Sequence, residues 1–161
     1  MKELFEKVSS YNLFNYLLPG IIFAYSAGDF AGHRLTKDNN FFNAFLYYFI
    51  GMIISCCGEL VIEPLLRKVR FLRFSDYKHF VDASRKDEKI NLLSEINNTY
   101  RTLIAMLILL VLVKAYNHYR LVWEISDTMT NLGSIGVLLL IFLFSYRKQT
   151  GFIRKRVANS A

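Results

Sequence analysis

The sequence predicts an all-α integral membrane protein with four transmembrane helices, the third extended beyond the membrane. Three observations predict it. Of 161 residues 53% are hydrophobic, yet the formal charge is +7 and mean hydropathy is +0.26, so apolar and charged residues must be segregated along the chain. Four stretches approach the roughly 20 mostly apolar residues that a hydrocarbon core requires. The basic residues fall almost entirely in the segments on one side of those stretches. With 8 Gly and 2 Pro, the composition excludes a disordered or collagen-like chain.

The first span runs from about Leu13 to Ala31. Leu13 to Ala24 resembles the apolar part of a secretory signal, but the preceding residues mix Glu3 and Glu6 with Lys2 and Lys7, so a retained anchor is expected. The second begins at Phe41 and is uncharged to Gly58, with Glu59 and Glu63 in its last turns. The third covers Thr102 to Tyr119, and the fourth is uncharged from Thr128 to Tyr146. These spans make residues 1–161 a single four-helix transmembrane domain, with a basic segment at 67–101 and a basic tail at 147–161. From Ser75 to Asn98 the chain reads as one helix, Ser75 its N-cap and Asp76 in its first turn, running unbroken into the third span.

Four spans put both termini on one side. That side holds sixteen of the 20 basic residues, against Arg34, Lys37, Lys114 and Arg120 opposite. The positive-inside bias therefore predicts cytoplasmic termini and a cytoplasmic central segment. Tyr116, Tyr119 and Trp123 would line the outer interface, and Tyr11, Tyr100 and Tyr146 the inner one.

Polar groups at membrane depth are costly, and each asks for a partner or a role. Glu59 and Glu63 share a helical face. They either pair with Arg67 or Arg70 or form a ring at a pore or gate. Asn12 and Asn15 precede Pro19 and Gly20, so the inner end of the first span is either a kinked helix with interfacial amides or a hinge, and in an oligomer these residues are further candidates for a pore lining or gate. Gly51, Ser55 and Gly58 form a small-residue stripe that would serve intrachain packing or oligomer contact. Gly28 with Gly32, and Gly133 with Gly136, are weaker pairs. Cys56 and Cys57, adjacent in an apolar run, read as inert packing.

The run RKVRFLRF interleaves Arg67, Lys68, Arg70 and Arg73 with Val69, Phe71, Leu72 and Phe74. The tail repeats the pattern, with Phe152 and Ile153 before Arg154, Lys155 and Arg156. Cations beside aromatics suit anionic lipid headgroups, or a nucleotide or oligonucleotide whose bases stack. The positive-inside bias alone also produces such runs.

No catalytic pattern appears. There is no GxSxG, phosphate loop or HExxH, and His33, His79 and His118 are scattered, so neither enzyme activity nor a metal or other cofactor is expected. Ser55 with Glu59 is the one conceivable nucleophile and base at similar depth.

The stretch Ser10-Tyr11-Asn12-Leu13-Phe14-Asn15-Tyr16-Leu17-Leu18-Pro19-Gly20, with four compact spans and a basic face, resembles small bacterial membrane effectors of anti-phage defence encoded beside nucleotidyltransferases. It looks most like the channel subunit of the Hailong system, and the membrane subunit of the Kiwa system is a close rival. The first resemblance implies a homotetrameric channel held closed by a nucleotide-derived oligomer and opened to depolarise the cell. The second implies a scaffold or infection sensor with a cytoplasmic partner protein. Neither carries over a ligand-binding residue.

Overall fold

The computed structural model describes residues 12–31 and 39–158, so Lys2, Lys7, Tyr11, Gly32, His33, Arg34 and Lys37 lie outside the described residues. Among the described residues there is no strand, and all are helical except 39, 69–76, 87 and 123–126. A π-helical turn at Leu13–Leu17 leads into α1 (Leu18–Ala31). Helix α2 (Asn40–Cys57) runs through a second π turn at Gly58–Ile62 into α3 (Glu63–Lys68). Then follow α4 (Tyr77–Lys86), α5 (Glu88–Val122) and α6 (Asp127–Ala158).

Among the described residues three helices are long and apolar enough to cross a membrane: the continuous Asn40–Lys68, α5 and α6. The first helix is shorter and less apolar, interrupted by Asn15, Pro19 and Asp29. At about 1.5 Å per residue, the 35-residue α5 is about 52 Å long, well beyond a hydrocarbon core of about 30 Å.

Both prolines explain a π turn. Proline has no N–H, and its ring collides with the carbonyl four residues back. Pro19 and Pro64 each stand two residues after a π turn. There the N–H of Leu18 bonds the carbonyl of Leu13, and that of Glu63 bonds Gly58, which widens the helix where each ring would clash.

Side-chain caps set the starts of α2, α4 and α5. Asn39 Oδ1 accepts from the N–H groups of Phe41 and Phe42 at 3.0 and 3.2 Å and opens α2. The expected helix from Ser75 to Asn98 is corrected in two places. Asp76 rather than Ser75 is the cap of α4, accepting from Tyr77 N–H at 2.9 Å. The chain then breaks at Asp87, extended at φ −137°, ψ 109°, whose carboxylate accepts from Lys89 N–H and starts α5. Short acidic side chains compete for backbone donors in this way, and apolar periodicity does not reveal it.

The core lies among α1, α2 and α5. Backbones of α1 and α2 touch: a Cβ added to Gly20 would lie 1.8 Å from Tyr47 O, and one on Gly51 1.8 Å from Tyr16 O. Only glycine permits that approach. Ile54, Ile62, Ala105 and Met106 close the apolar core. Helix α6 stands apart, with no buried residue. It is tied to α5 by Arg120, which pairs with Asp127, and by the Tyr116 and Thr130 hydroxyls at 2.8 Å.

Candidate functional site at the basic end of the helices

Polar chemistry gathers at one end of the bundle, around the two π turns. Thr102 of α5 is wholly buried, and Asn15 is 1% exposed. Thr102 Oγ1 lies 2.9 Å from Asn15 Oδ1, 3.2 Å from Ser55 Oγ and 3.0 Å from the carbonyl of Asn98. A threonine has one hydroxyl proton, so it donates to Asn15 or to Asn98 while Ser55 donates to it. Asn15 Nδ2 is buried without a partner. Three helical segments thus meet at one hydroxyl. Asn15 is also the residue whose carbonyl would have met the missing N–H of Pro19, so its backbone and its side chain both depart from regular helix bonding.

One turn further out, the acids of the second π segment are paired. Glu63 Oε2 lies 2.8 Å from Arg101 Nη1, with Arg67 Nη1 3.9 Å from Oε1. Both Glu63 and Arg101 are mostly buried. Glu59 Oε1 lies 3.2 Å from Lys148 Nζ, which also donates to the Glu59 carbonyl at 2.7 Å. The π turn is therefore held from two sides, by α5 through Arg101 and by α6 through Lys148. Of the two partners expected for these acids, Arg67 is present. Arg70 instead adopts φ 61° and turns the chain after α3, its N–H on the Arg67 carbonyl at 3.0 Å.

Beside Glu63 opens a cavity of about 870 Å³. Arg67, Arg73 and Lys155 reach it from two separate segments, so the run after the second span and the tail meet around one space. Phe74, Tyr77, Phe80 and Phe152 supply aromatic walls, and Ser75, Ser94 and Asn97 supply hydroxyl and amide groups. Arg67 lies over the Phe74 ring at 4.9 Å. Lys68, Arg70, Arg154 and Arg156 do not line the cavity. Glu63 and Asp76 do, and they keep the wall from being uniformly positive. Three cations beside four rings can hold a phosphate-bearing molecule with a flat or apolar body.

The remaining candidates separate cleanly. Gly51 contacts the first helix, Gly58 faces Ala105 and Arg101 at 3.3 Å, and Ser55 between them reaches Thr102, so the stripe serves packing within the chain. A Cβ added at Gly133 or Gly136 would meet nothing within 4 Å. Asn12 is half-buried at the start of the first helix. Ser55 bonds Thr102 while Glu59 pairs with Lys148, which leaves the conceivable nucleophile and base each with another partner. Sequence reasoning missed Thr102, Arg101 and Lys148. The signal was available for Arg101 and Lys148, since each is a cation at the edge of an apolar span at the same end as an acid. Comparison with family models, with curated proteins and with solved structures finds no match to this chain.

Proposed function

We propose that this protein is an oligomeric channel effector of the bacterial inner membrane, gated from the cytoplasm by an anionic nucleotide or oligonucleotide. In the setting the resemblance implies, opening depolarises an infected cell. The observation that carries the gating half of the reading is the cavity where Arg67, Arg73 and Lys155 converge beside Glu63. An anion there competes with Glu63 for Arg67, and Glu63 together with Arg101 clamps the π turn of the second span. Ligand binding and the geometry of the span are thereby coupled through one carboxylate.

In this reading the first helix is the fourth span. From Leu13 to Ala31 its π turn and α1 run about 28 Å, close to a hydrocarbon core, and the contacts of Gly20 with Tyr47 and of Gly51 with Tyr16 set it at the depth of α2. The basic end then faces the cytoplasm by the positive-inside bias. Helix α6 has no buried residue, so its exposed faces are free to line a pore shared among several copies in this reading.

The test is ion flux from liposomes containing the purified protein, with and without a short single-stranded oligonucleotide. The reading expects flux that changes with the oligonucleotide. It also expects binding that falls steeply with salt, with a log–log slope of about −2 for three cations on a single strand. Arg73→Gln with Lys155→Gln should flatten that slope and weaken binding at least tenfold, and Arg154→Gln should do far less. No flux under either condition sinks the channel. A second reading, a scaffold that recruits a cytoplasmic partner without a pore, is favoured by Val69 and Phe71, apolar residues exposed at the turn after α3. Co-purification of a second chain, lost on Phe71→Ser, would support it.

A further inference from the structure

The extended part of α5 presents an apolar stripe that the rest of the chain leaves exposed except at Leu103, which packs partly against the core. Leu93, Ile96, Tyr100, Leu103, Leu107 and Val111 follow one another in steps of three and four, so they share one face. Leu93, Ile96 and Tyr100 are 63%, 41% and 61% exposed. The buried residues Thr102, Ala105 and Met106 lie on the other side, against α1 and α2.

The first part of α5, from Glu88 to Arg101, carries Glu88, Lys89, Glu95 and Arg101 with three asparagines, and belongs outside the hydrocarbon. It is about 21 Å long and continues the direction of the span without a proline or π turn, so it projects from the bilayer instead of lying on it. Leu93 and Ile96 therefore meet water. Lipid covers the same stripe further along, but nothing described in the chain covers it there.

We propose that the stripe on α5 is where a second copy of this chain docks, the two helices running parallel. Copies inserted the same way must pair in parallel, and parallel pairing about a twofold axis sets each residue opposite itself. A charge in the seam would then face its own like. Between Lys89 and Lys114 the stripe carries none, while Glu95 and Arg101 lie off it. The three-four spacing is that of interlocking parallel helices. Inside the membrane apolar side chains gain little from leaving lipid, so the driving force is concentrated in Leu93 and Ile96, where it is hydrophobic. The inference rests on the membrane reading and not on a pore.

The test is disulfide trapping in native membranes, in a background with Cys56→Ala and Cys57→Ala. Single substitutions Leu93→Cys, Ile96→Cys and Tyr100→Cys should give crosslinked dimers on oxidation. Asn91→Cys, exposed on the opposite side of α5, should give at least tenfold less. Leu93→Glu with Ile96→Glu should convert the detergent-solubilised assembly to single chains while its helical circular dichroism is kept. Equal trapping at Asn91→Cys, no trapping at any position, or an assembly unchanged by the two glutamates would overturn the proposal. A protein that traps as expected yet passes no ions supports this interface and refutes the channel, so the two readings fail separately.

Discussion

Replacing Thr102 by valine removes a single oxygen from the centre of the bundle and leaves its volume in place. The hydroxyl is fully buried and is the common partner of Asn15, Ser55 and the Asn98 carbonyl. Without it, the Asn15 amide has no bond to Thr102 in a site where its Nδ2 already lacks a partner. Orphaning a buried polar group costs about 1–3 kcal/mol, and interhelical side-chain bonds in membranes fall near 0.6 with a ceiling near 1.7. Three partners sharing one hydroxyl place Thr102→Val at the upper end, about 1.5 kcal/mol. Asn15→Leu added to Thr102→Val removes the main orphan with a side chain of similar size, so the double variant should recover at least half the loss. The assay is reversible unfolding in mixed micelles, followed by circular dichroism, for the parent, both singles and the double. Strictly additive losses, or a Thr102→Val variant within about 0.3 kcal/mol of the parent, would refute the shared-hydroxyl argument.

Gly51→Ala should cost about 3 kcal/mol or more, because its Cβ meets the Tyr16 backbone and the first two helices must part; Gly133→Ala, with open space around it, should be neutral for the folded chain, and thermal unfolding of the pair checks both. Arg101→Met should lower stability by about 1–3 kcal/mol by leaving Glu63 to the distant Arg67, and an added Glu63→Gln should restore part of it in the same micelle titration. Pro64→Ala removes the reason for the second π turn, so that turn should relax to α-helix and rotate Glu59 away from Lys148; a Cys pair replacing Glu59 and Lys148 should then trap less readily than with Pro64 present.

The three long apolar helices were legible in the sequence because length and hydropathy suffice to define them. So was the pairing of Glu63 with Arg67, which follows from spacing within one helix. Contacts that join distant residues were not legible. Thr102 looked like the first residue of a span, and only the packing of three helices makes its hydroxyl central. Pro19 and Pro64 signalled bends, but a proline can kink a helix or widen it by one residue, and the surrounding packing chooses between the two. The break at Asp87 was hidden because residues 84–89 are polar and hold no proline or glycine to stop a helix, while the Asp87 carboxylate takes the Lys89 N–H and restarts it. The convergence of Arg73 with Lys155 required knowing that the tail continues α6 as helix to Ala158.

How the packing is distributed bears on what a ligand could move. Helices α1, α2 and α5 are fastened by touching backbones and a shared buried hydroxyl, and such contacts permit little sliding. By contrast, α6 is held by exposed or half-exposed groups: Lys148 on Glu59, the Phe49 and Phe142 rings 6.2 Å apart, and the hairpin contacts at its start. A ligand shifts a structure only by binding one arrangement better than another. The cavity draws Lys155 and Phe152 from α6 and Arg67 and Arg73 from α3 and the turn after it, so its walls belong to two segments that lie far apart in the sequence. In the gating proposed above, an anion that bridged those walls would favour whichever placement of α6 brings them together, and Lys148, one helical turn before Phe152 and bonded to the Glu59 carbonyl, is the contact through which that placement would reach the π turn.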